Sequence, residues 1–441
     1  MGDGSQDGGA VSGTVALVER KHLGGTCVNT GCMPTKALVA SARAAHVIRR
    51  AASYGIDVAG PIAVDMARVK ARAKAVTMSS RTGLETWLAG TKGVTVIHGH
   101  ARFLSKDALQ VGEETMAAKR IFINVGARAL VPKIPGLDDV AYLTNASIIE
   151  LETLPKHLVV IGGGPIGLEF AQMYRRFGSE VTIIEAGARL LEREDEEVSA
   201  AVNGVLEGEG IHVRVGVRTV AAQREADGVK VTLSSGDAVL GSHLLVATGR
   251  KPNTDDLDLE KAGVNVDPRG HITVDDQLRT DVEGIWALGE VNGRGNFTHT
   301  AYNDFEIVAA NVLDDEPRKI TDRIDAYAIY MDPPFARIGI SEAAARKSNR
   351  RYLVGHRAMT RVGRAVEKGE THGFMKVLVD AETKRIAGAT IFGTDGDEAI
   401  HALLYAMYAG ATAETTTHSV GIHPTVSELL PTLLGDLRPL T

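Results

Sequence analysis

Two cysteines, Cys27 and Cys32, stand five positions apart in GGTCVNTGCMPTK, and the 441-residue chain holds no others. A bridge closing so short a loop stabilises little, because the entropy it removes grows with loop length. Two thiols also fall short of the four ligands of a structural zinc site, and no CxxC or neighbouring histidine completes one. A redox or nucleophilic use is the stronger reading, beside the plain alternative of two unbridged, buried cysteines. Along a regular helix five residues rise about 7.5 Å, beyond the usual Cα span of a disulfide, so a bridge needs a distorted or barely started turn. Asn29, Thr30 and Gly31 permit one. At a helix N-terminus such a bridge is reducible and its thiolate is favoured by the helix dipole. His98 and His100 share one face of a strand but lack a third ligand, so no metal site is expected.

A second chemical signal is Gly162-Gly163-Gly164-Pro165-Ile166-Gly167, set between the apolar run HLVVI and a helical pattern. Gly162 permits a tight turn, Gly164 lets a pyrophosphate approach the backbone, and Gly167 lets helix and strand pack closely. The helix N-terminus then offers unpaired N–H donors to phosphate. Glu185 closes the next strand 23 residues after Gly162. Its carboxylate suits a ribose 2′-OH and repels a 2′-phosphate, which favours NADH, while Arg189 softens that preference and keeps NADPH possible.

These residues need a scaffold, and the pattern supplies an α/β one. TVALVE (14–19) reads as a strand, Cys32 to Arg50 and Val64 to Ala89 as helices, and 94–99 and 120–128 as strands. VPKIPGLDD (131–139) is a connector, 157–185 a complete strand–turn–helix–strand unit, and the composition changes again near Asp325. Formal charge is -6 without a basic run, which excludes a nucleic-acid binder. No long apolar stretch reads as a membrane span, and the N-terminal residues lack the basic and apolar parts of a secretory signal, so a cytoplasmic protein is expected.

GGTCVNTGCMPTKAL, GGGPIGLE, LLVATGRKPN, WALGE and IHPTVSELL follow one another in an order that resembles the flavin-dependent pyridine nucleotide–disulfide oxidoreductases. That family includes lipoamide dehydrogenase, glutathione reductase and mercuric reductase, and the resemblance runs from Thr14 to Leu434. It implies an α/β fold with two Rossmann-like nucleotide-binding domains and an α+β interface domain through which two subunits pair. The implied bounds are 1–150 and 271–325 for FAD, 151–270 for NAD(P) and 326–441 for the interface. By resemblance, Cys32 is the charge-transfer thiol against the flavin and Cys27 the interchange thiol that meets substrate. Lys36 brings an ammonium near the flavin and pairs with Glu169, while His423 and Glu428 form an acid–base dyad serving the other subunit. Implied cofactor-binding positions are Glu19, Gly25, Thr26, Gly99, Ala101, Gly126, Gly249, Arg250, Gly289 and Glu290, with the Gly162–Gly167 loop and Glu185 for the nicotinamide nucleotide. Electrons are then expected to pass between NADH and a small disulfide, dithiol or metal-ion substrate by way of FAD and the Cys27–Cys32 disulfide.

The pattern departs from the family in three places. TLLGDLRPLT at the C-terminus lacks the extra cysteine pair of well-defined mercuric reductases, although CMPTK and HTAYND look closest to mercuric-reductase-like proteins. Nothing marks a glutathione site, and lipoamide-type chemistry stays open. Glu290 stands where the family usually has Asp, so its contact with the ribityl chain must shift or weaken. Finally, TVALVE ending in Glu19 resembles EVTIIE ending in Glu185, yet counting back 23 residues from Glu19 runs off the chain. Residues 1–13 contain no G-x-G-x-x-G, because Gly2 and Gly4 are followed by Asp7, and they read as disordered. The alternative expectation is therefore an impaired, flavin-poor relative that binds NAD; a working chain that is longer than this one leaves the same sign.

Overall fold

The structure, a computed structural model, describes residues 14–440. The expectations placed on residues 1–13 lie outside the described residues. Contacts gather the chain into two compact units. One runs through Pro34 and adds Lys74–Arg128 and Arg250–Arg323; the other holds Thr35–Ala73, Ala129–Gly249 and the chain from Ile324 onward.

In the first unit, β1 (Val15–Glu19) pairs in parallel with β2 (Val94–His98), setting Glu19 opposite His98. A second parallel pair joins Ile121–Ile123 to Ile285–Ala287. Among the described residues neither pair gains a third strand, and Val15, Leu17 and Phe122 are exposed. The antiparallel strands Ala101–Ser105, Ala108–Val111 and Glu114–Ala117 follow. The core of this unit gathers Phe103, Ile121, Ile123, Leu278, Ile285 and Ile307, drawn from the stretches Lys74–Arg128 and Arg250–Arg323.

The cysteine stretch holds two helices where the sequence pattern suggested one. Gly25–Thr30 forms α1 and Cys32–Arg49 forms α2, with Gly31 between them. A six-residue helix flanked by glycines carries no apolar period, so it leaves little trace in a sequence pattern. The following helix, α3 (Met66–Gly90), matches the expected span within two residues.

In the second unit, five parallel strands lie in the order His212–Arg214, Glu180–Ile184, His157–Ile161, His243–Val246 and Tyr142–Leu143. Beyond their first residues the runs HLVVI, EVTII and HLLV are mostly apolar and buried, because strands of a covered parallel sheet are buried on both faces. Leu158, Val159 and Val160 are accordingly fully buried. The chain then makes a three-stranded antiparallel sheet from Thr219–Glu225, Gly228–Leu233 and Ala238–Gly241. From Ala326 a six-stranded antiparallel sheet takes over, with the helix Gly396–Tyr408 packed on it through Ile400 and Leu403. Among the described residues no helix is long and apolar enough to cross a membrane.

Candidate active site

Cys27 sits on α1 and Cys32 opens α2, and the break between them is what shortens their separation. Gly31 makes that break at φ −131° and ψ −116°. A Cβ there would stand 2.9 Å from the Thr26 carbonyl oxygen, so the close approach of the two turns excludes any larger residue. Asn29 secures the short helix by donating to the Leu23 and Gly25 carbonyls, both at 2.9 Å, and it accepts from Arg81 at 2.7 Å. Cys27 and Cys32 are not bridged to each other, and both are of intermediate exposure. The hydrogen bond to the Cys32 side chain, and then burial, push the Cys27 thiol up, against an opposing contact with Thr298. At Cys27 the neighbouring thiol and desolvation outweigh the pull toward a thiolate. Thr298 Oγ1 also lies 3.4 Å from Cys32 Sγ.

The same unit contains most of the residues expected to hold FAD. Glu19 ends β1, with Oε1 accepting from the Lys21 N–H at 2.8 Å, and its carbonyl accepts from Gly99 N at 3.0 Å. A Cβ on Gly99 would meet Val111 at 2.6 Å, and Ala101 begins the next strand, opposite Val111. Gly25 and Gly126 have φ +57° and +63°, and a Cβ on either would project into open space. Such bare backbone suits close approach of a ligand, and together with Thr26 beside the cysteines it fits a flavin nucleotide. Gly289, at φ +70°, donates its N–H to the buried Asp304 carboxylate at 2.9 Å. Asp304 also accepts from Asn292 at 2.9 Å and pairs with Arg323 at 2.8 Å. Glu290 is committed differently from the expected ribityl contact. Its two oxygens accept from the Arg250 guanidinium, Oε2 at 2.7 Å from Nη2, which also donates to the Ala127 carbonyl at 2.6 Å. The longer side chain turns toward this cation, and the pair holds the Ala127 and Arg250 backbones together.

In the second unit, Lys36 Nζ donates to Glu169 Oε2 at 2.6 Å. Glu169 is buried and lies on the helix Pro165–Phe177. Its Oε1 accepts from the Tyr330 N–H at 2.8 Å, so both carboxylate oxygens are used. Next to it, Asp332 accepts from Arg43 at 2.5 Å and forms a second ion pair with Arg176. Burial works to raise the Asp332 carboxyl, but Arg176 and then Arg43 overcome it and hold it below the usual carboxylate range.

The nucleotide loop shows why its glycines are needed. Gly162 has φ +116°, and a Cβ there would stand 2.4 Å from the Ala247 carbonyl oxygen; one on Gly167 would stand 2.1 Å from the Gly162 carbonyl oxygen. At Gly164 a Cβ would meet open space at the entrance of the helix, whose first turn starts with Pro165. Glu185 accepts from the Gly163 N–H and the Gly187 N–H, both at 2.6 Å, which fixes its carboxylate against the loop. Arg189 donates to the Glu192 and Glu194 carbonyls at 3.0 and 3.2 Å and lies 3.6 Å from Glu196. Gly249, at φ +143°, accepts from Leu130 N at 2.9 Å.

His423 Nδ1 lies 2.9 Å from Glu428 Oε2 and 3.1 Å from Oε1. The carboxylate thus selects the Nδ1–H tautomer and leaves Nε2 as the basic nitrogen on a ring whose side chain is 79% exposed. Gly421 allows this geometry, since a Cβ there would stand 2.5 Å from Glu428 Cα. The sequence reading passed over Thr298, Asp304 and Tyr330. Thr298 and Asp304 lie in or beside the HTAYND stretch singled out for its wording, whereas nothing local marks Tyr330. Among the described residues no cluster of metal-ligating side chains occurs, and His100 instead bonds the Asp256 carbonyl at 2.8 Å.

Comparison with known proteins matches these features. The family described as pyridine nucleotide-disulphide oxidoreductase matches residues 6–304, and its dimerisation domain matches residues 326–434. A mercuric reductase of Streptomyces lividans is 34% identical over 95% of this chain and 90% of that protein. A dihydrolipoyl dehydrogenase of Thermus scotoductus is 35% identical over 94% of this chain and 90% of that protein. Among solved structures, the Cu(II) complex of the HOCl-induced flavoprotein disulfide reductase RclA from Escherichia coli superposes with a TM-score of 0.89 at 32% identity. That match covers 96% of this chain and 95% of the other. The expected architecture of nucleotide-binding and dimerisation domains is therefore the observed one. None of these findings supports the flavin-poor alternative.

Proposed function

The chain belongs to the pyridine nucleotide-disulphide oxidoreductase family, and from that premise we propose an FAD-dependent, NADH-preferring homodimer that exchanges electrons with a small disulfide or dithiol at Cys27 and Cys32. The observation that carries this reading is the turn broken at Gly31, which sets Cys27 on one short helix and Cys32 at the start of the next, with Thr298 Oγ1 3.4 Å from Cys32 Sγ. Deprotonated Cys27 attacks one sulfur of the substrate disulfide and expels the other as a thiolate. Deprotonated Cys32 then attacks the Cys27 sulfur, releasing the second substrate thiolate and closing the Cys27–Cys32 bond. The substrate thereby gains two electrons, and two protons complete its thiols. His423 Nε2, contributed by the second subunit, takes the Cys27 proton and returns it to the leaving thiolate, and Glu428 stabilises the imidazolium formed between. The raised Cys27 thiol is the reason such a base is needed. Flavin held by Glu19, Gly25, Thr26, Gly126 and Gly289 would supply the two-electron relay from NADH to the Cys27–Cys32 disulfide, returning the pair to the dithiol. Glu185 supports the preference for NADH, because its fixed carboxylate accepts from a ribose hydroxyl and repels a phosphate.

Reduction of a soft metal ion is the second reading. The adjacent thiols are a soft donor set, and relatives carry the names mercuric reductase and Cu(II) complex. One experiment separates the two. The purified, flavin-loaded protein is given NADH with lipoamide or with Hg(II), and nucleotide oxidation is followed with the Cys27→Ser variant as control. Lipoamide-dependent oxidation that disappears in the variant supports the first reading. Turnover with Hg(II) alone replaces it with the second, and no turnover with either overturns both.

A further inference from the structure

Lys36 is a flexible four-carbon cation, and one carboxylate does not by itself fix where its charge sits. The structure supplies a second constraint. The Lys36 Nζ lies 4.6 Å from the centroid of the Tyr330 ring, within the range of a cation–π contact. Carboxylate and ring together restrict the ammonium, the first through Glu169 Oε2 and the second through the aromatic face.

The ring is itself held in place. The Tyr330 N–H donates to the same Glu169, so backbone and ring clamp the two members of the ion pair. Two residues further on, the Asp332 N–H donates to Gln172 Oε1 and the Asp332 carbonyl accepts from Gln172 Nε2, both at 2.7 Å. The Asp332 carboxylate is bound by Arg43 and Arg176, and Met331, which joins Tyr330 to Asp332 in the chain, is 2% exposed. Glu169, Gln172 and Arg176 are spaced three and four apart, so they form one face of the helix Pro165–Phe177. Lys36 and Arg43, seven apart, likewise share a face of α2. The two helices that carry the ion pair therefore also fix the loop that carries the ring. Tyr330 belongs to the stretch that matches the dimerisation domain, not to either nucleotide-binding segment.

We propose that Tyr330 is a positioning residue for Lys36: with Glu169 it fixes the ammonium, and so sets the charge that this lysine presents to the redox site. The proposal rests on the reading that Lys36 acts at the flavin. The ring face is what matters, so the hydroxyl is dispensable and the aromatic face is not.

The test compares Tyr330→Phe, Tyr330→Leu and Lys36→Met in the flavin-loaded protein. Protein labelled with ¹³C at lysine Cε gives the Lys36 signal, assigned by its absence in Lys36→Met. Ring current displaces that signal upfield in the parent and in Tyr330→Phe, and the displacement vanishes in Tyr330→Leu. The flavin midpoint potential, measured against a reference dye, moves in Tyr330→Leu in the same direction as in Lys36→Met but less far. Turnover with saturating NADH falls about 3-fold to 10-fold in Tyr330→Leu, as expected for a contact of this type, with KM unchanged. Tyr330→Phe leaves all three readouts at parental values. A Phe variant that behaves like Leu overturns the proposal, as does a Leu variant that retains the displacement or the potential. If Lys36→Met leaves the potential unmoved, the role given to Lys36 fails as well; if it moves while Tyr330→Leu does not, the assignment of Tyr330 alone fails.

Discussion

At the scale of single residues, the Cys27 thiol is held toward its protonated form, by its bond to Cys32 first and by burial second. Any exchange it starts therefore begins with removal of a proton. His423→Gln keeps a polar side chain beside Glu428 but has no basic nitrogen, and it should lower disulfide turnover by about 10²- to 10⁴-fold. The deficit should narrow as pH rises, because hydroxide then removes the proton unaided, while hydride uptake from NADH stays near the parental rate. A pH profile parallel to that of the parent would count against the base role. Thr298 touches Cys32 at 3.4 Å and opposes the rise at Cys27. Thr298→Val should therefore slow alkylation of the dithiol by iodoacetamide at neutral pH; an unchanged rate would show that the hydroxyl has no hold on the pair.

At the scale of elements, the helix carrying Lys36 and the helix carrying Glu169 are tied through one loop, and Asp332 is the knot. Arg176, on the second of these helices, is 6% exposed and is paired by Asp332 and Glu209. Removing one carboxylate leaves a buried guanidinium half compensated, so Asp332→Ala should cost about 3 kcal/mol of stability in urea titrations. The pH dependence has a definite sign. The folded carboxyl lies below its ordinary value, so its contribution is complete above the ordinary carboxylate range and is lost as pH falls toward the folded value. The gap between parent and Asp332→Asn should therefore be widest near pH 7 and should close in acid; a constant gap would mean that the ion pairs contribute nothing. Helix α2 was legible from the unbroken pattern ALVASARAAHVIRR, and the Gly162–Gly167 turn from its place between strand and helix. Helix α1 was not, because its identity depends on the break at Gly31 and on bonds from Asn29, not on any period.

At the scale of the whole molecule, the stretch 326–434 matches a dimerisation domain, and His423 stands in it on an exposed loop. Val420 and Ile422, just before that histidine, are 97% and 81% exposed, side chains of the kind a second copy would cover. If each site draws its cysteines from one subunit and its histidine from the other, two inactive variants should complement. Mixing Cys27→Ser with His423→Gln in equal amounts, with subunit exchange, should restore about a quarter of parental activity, since half the dimers are hybrids and each hybrid has one intact site. No recovery, with hybrid formation verified by mass, would place the cysteines and the histidine of one site on the same subunit.

The sequence by itself determined the lineage, the nucleotide turn and the identity of the reactive groups. Those depend on local spacing: a strand followed by glycines, two thiols five apart, a histidine five residues before an acid. The tertiary structure decided what each group is bonded to, and so how it is tuned. It turned Glu290 onto Arg250, raised the Cys27 thiol through its neighbour and burial, and brought Tyr330 to Lys36 from nearly 300 positions away. Charge, desolvation and ring contact act over a few ångströms of space, a distance that positions along a chain do not encode until the chain has folded.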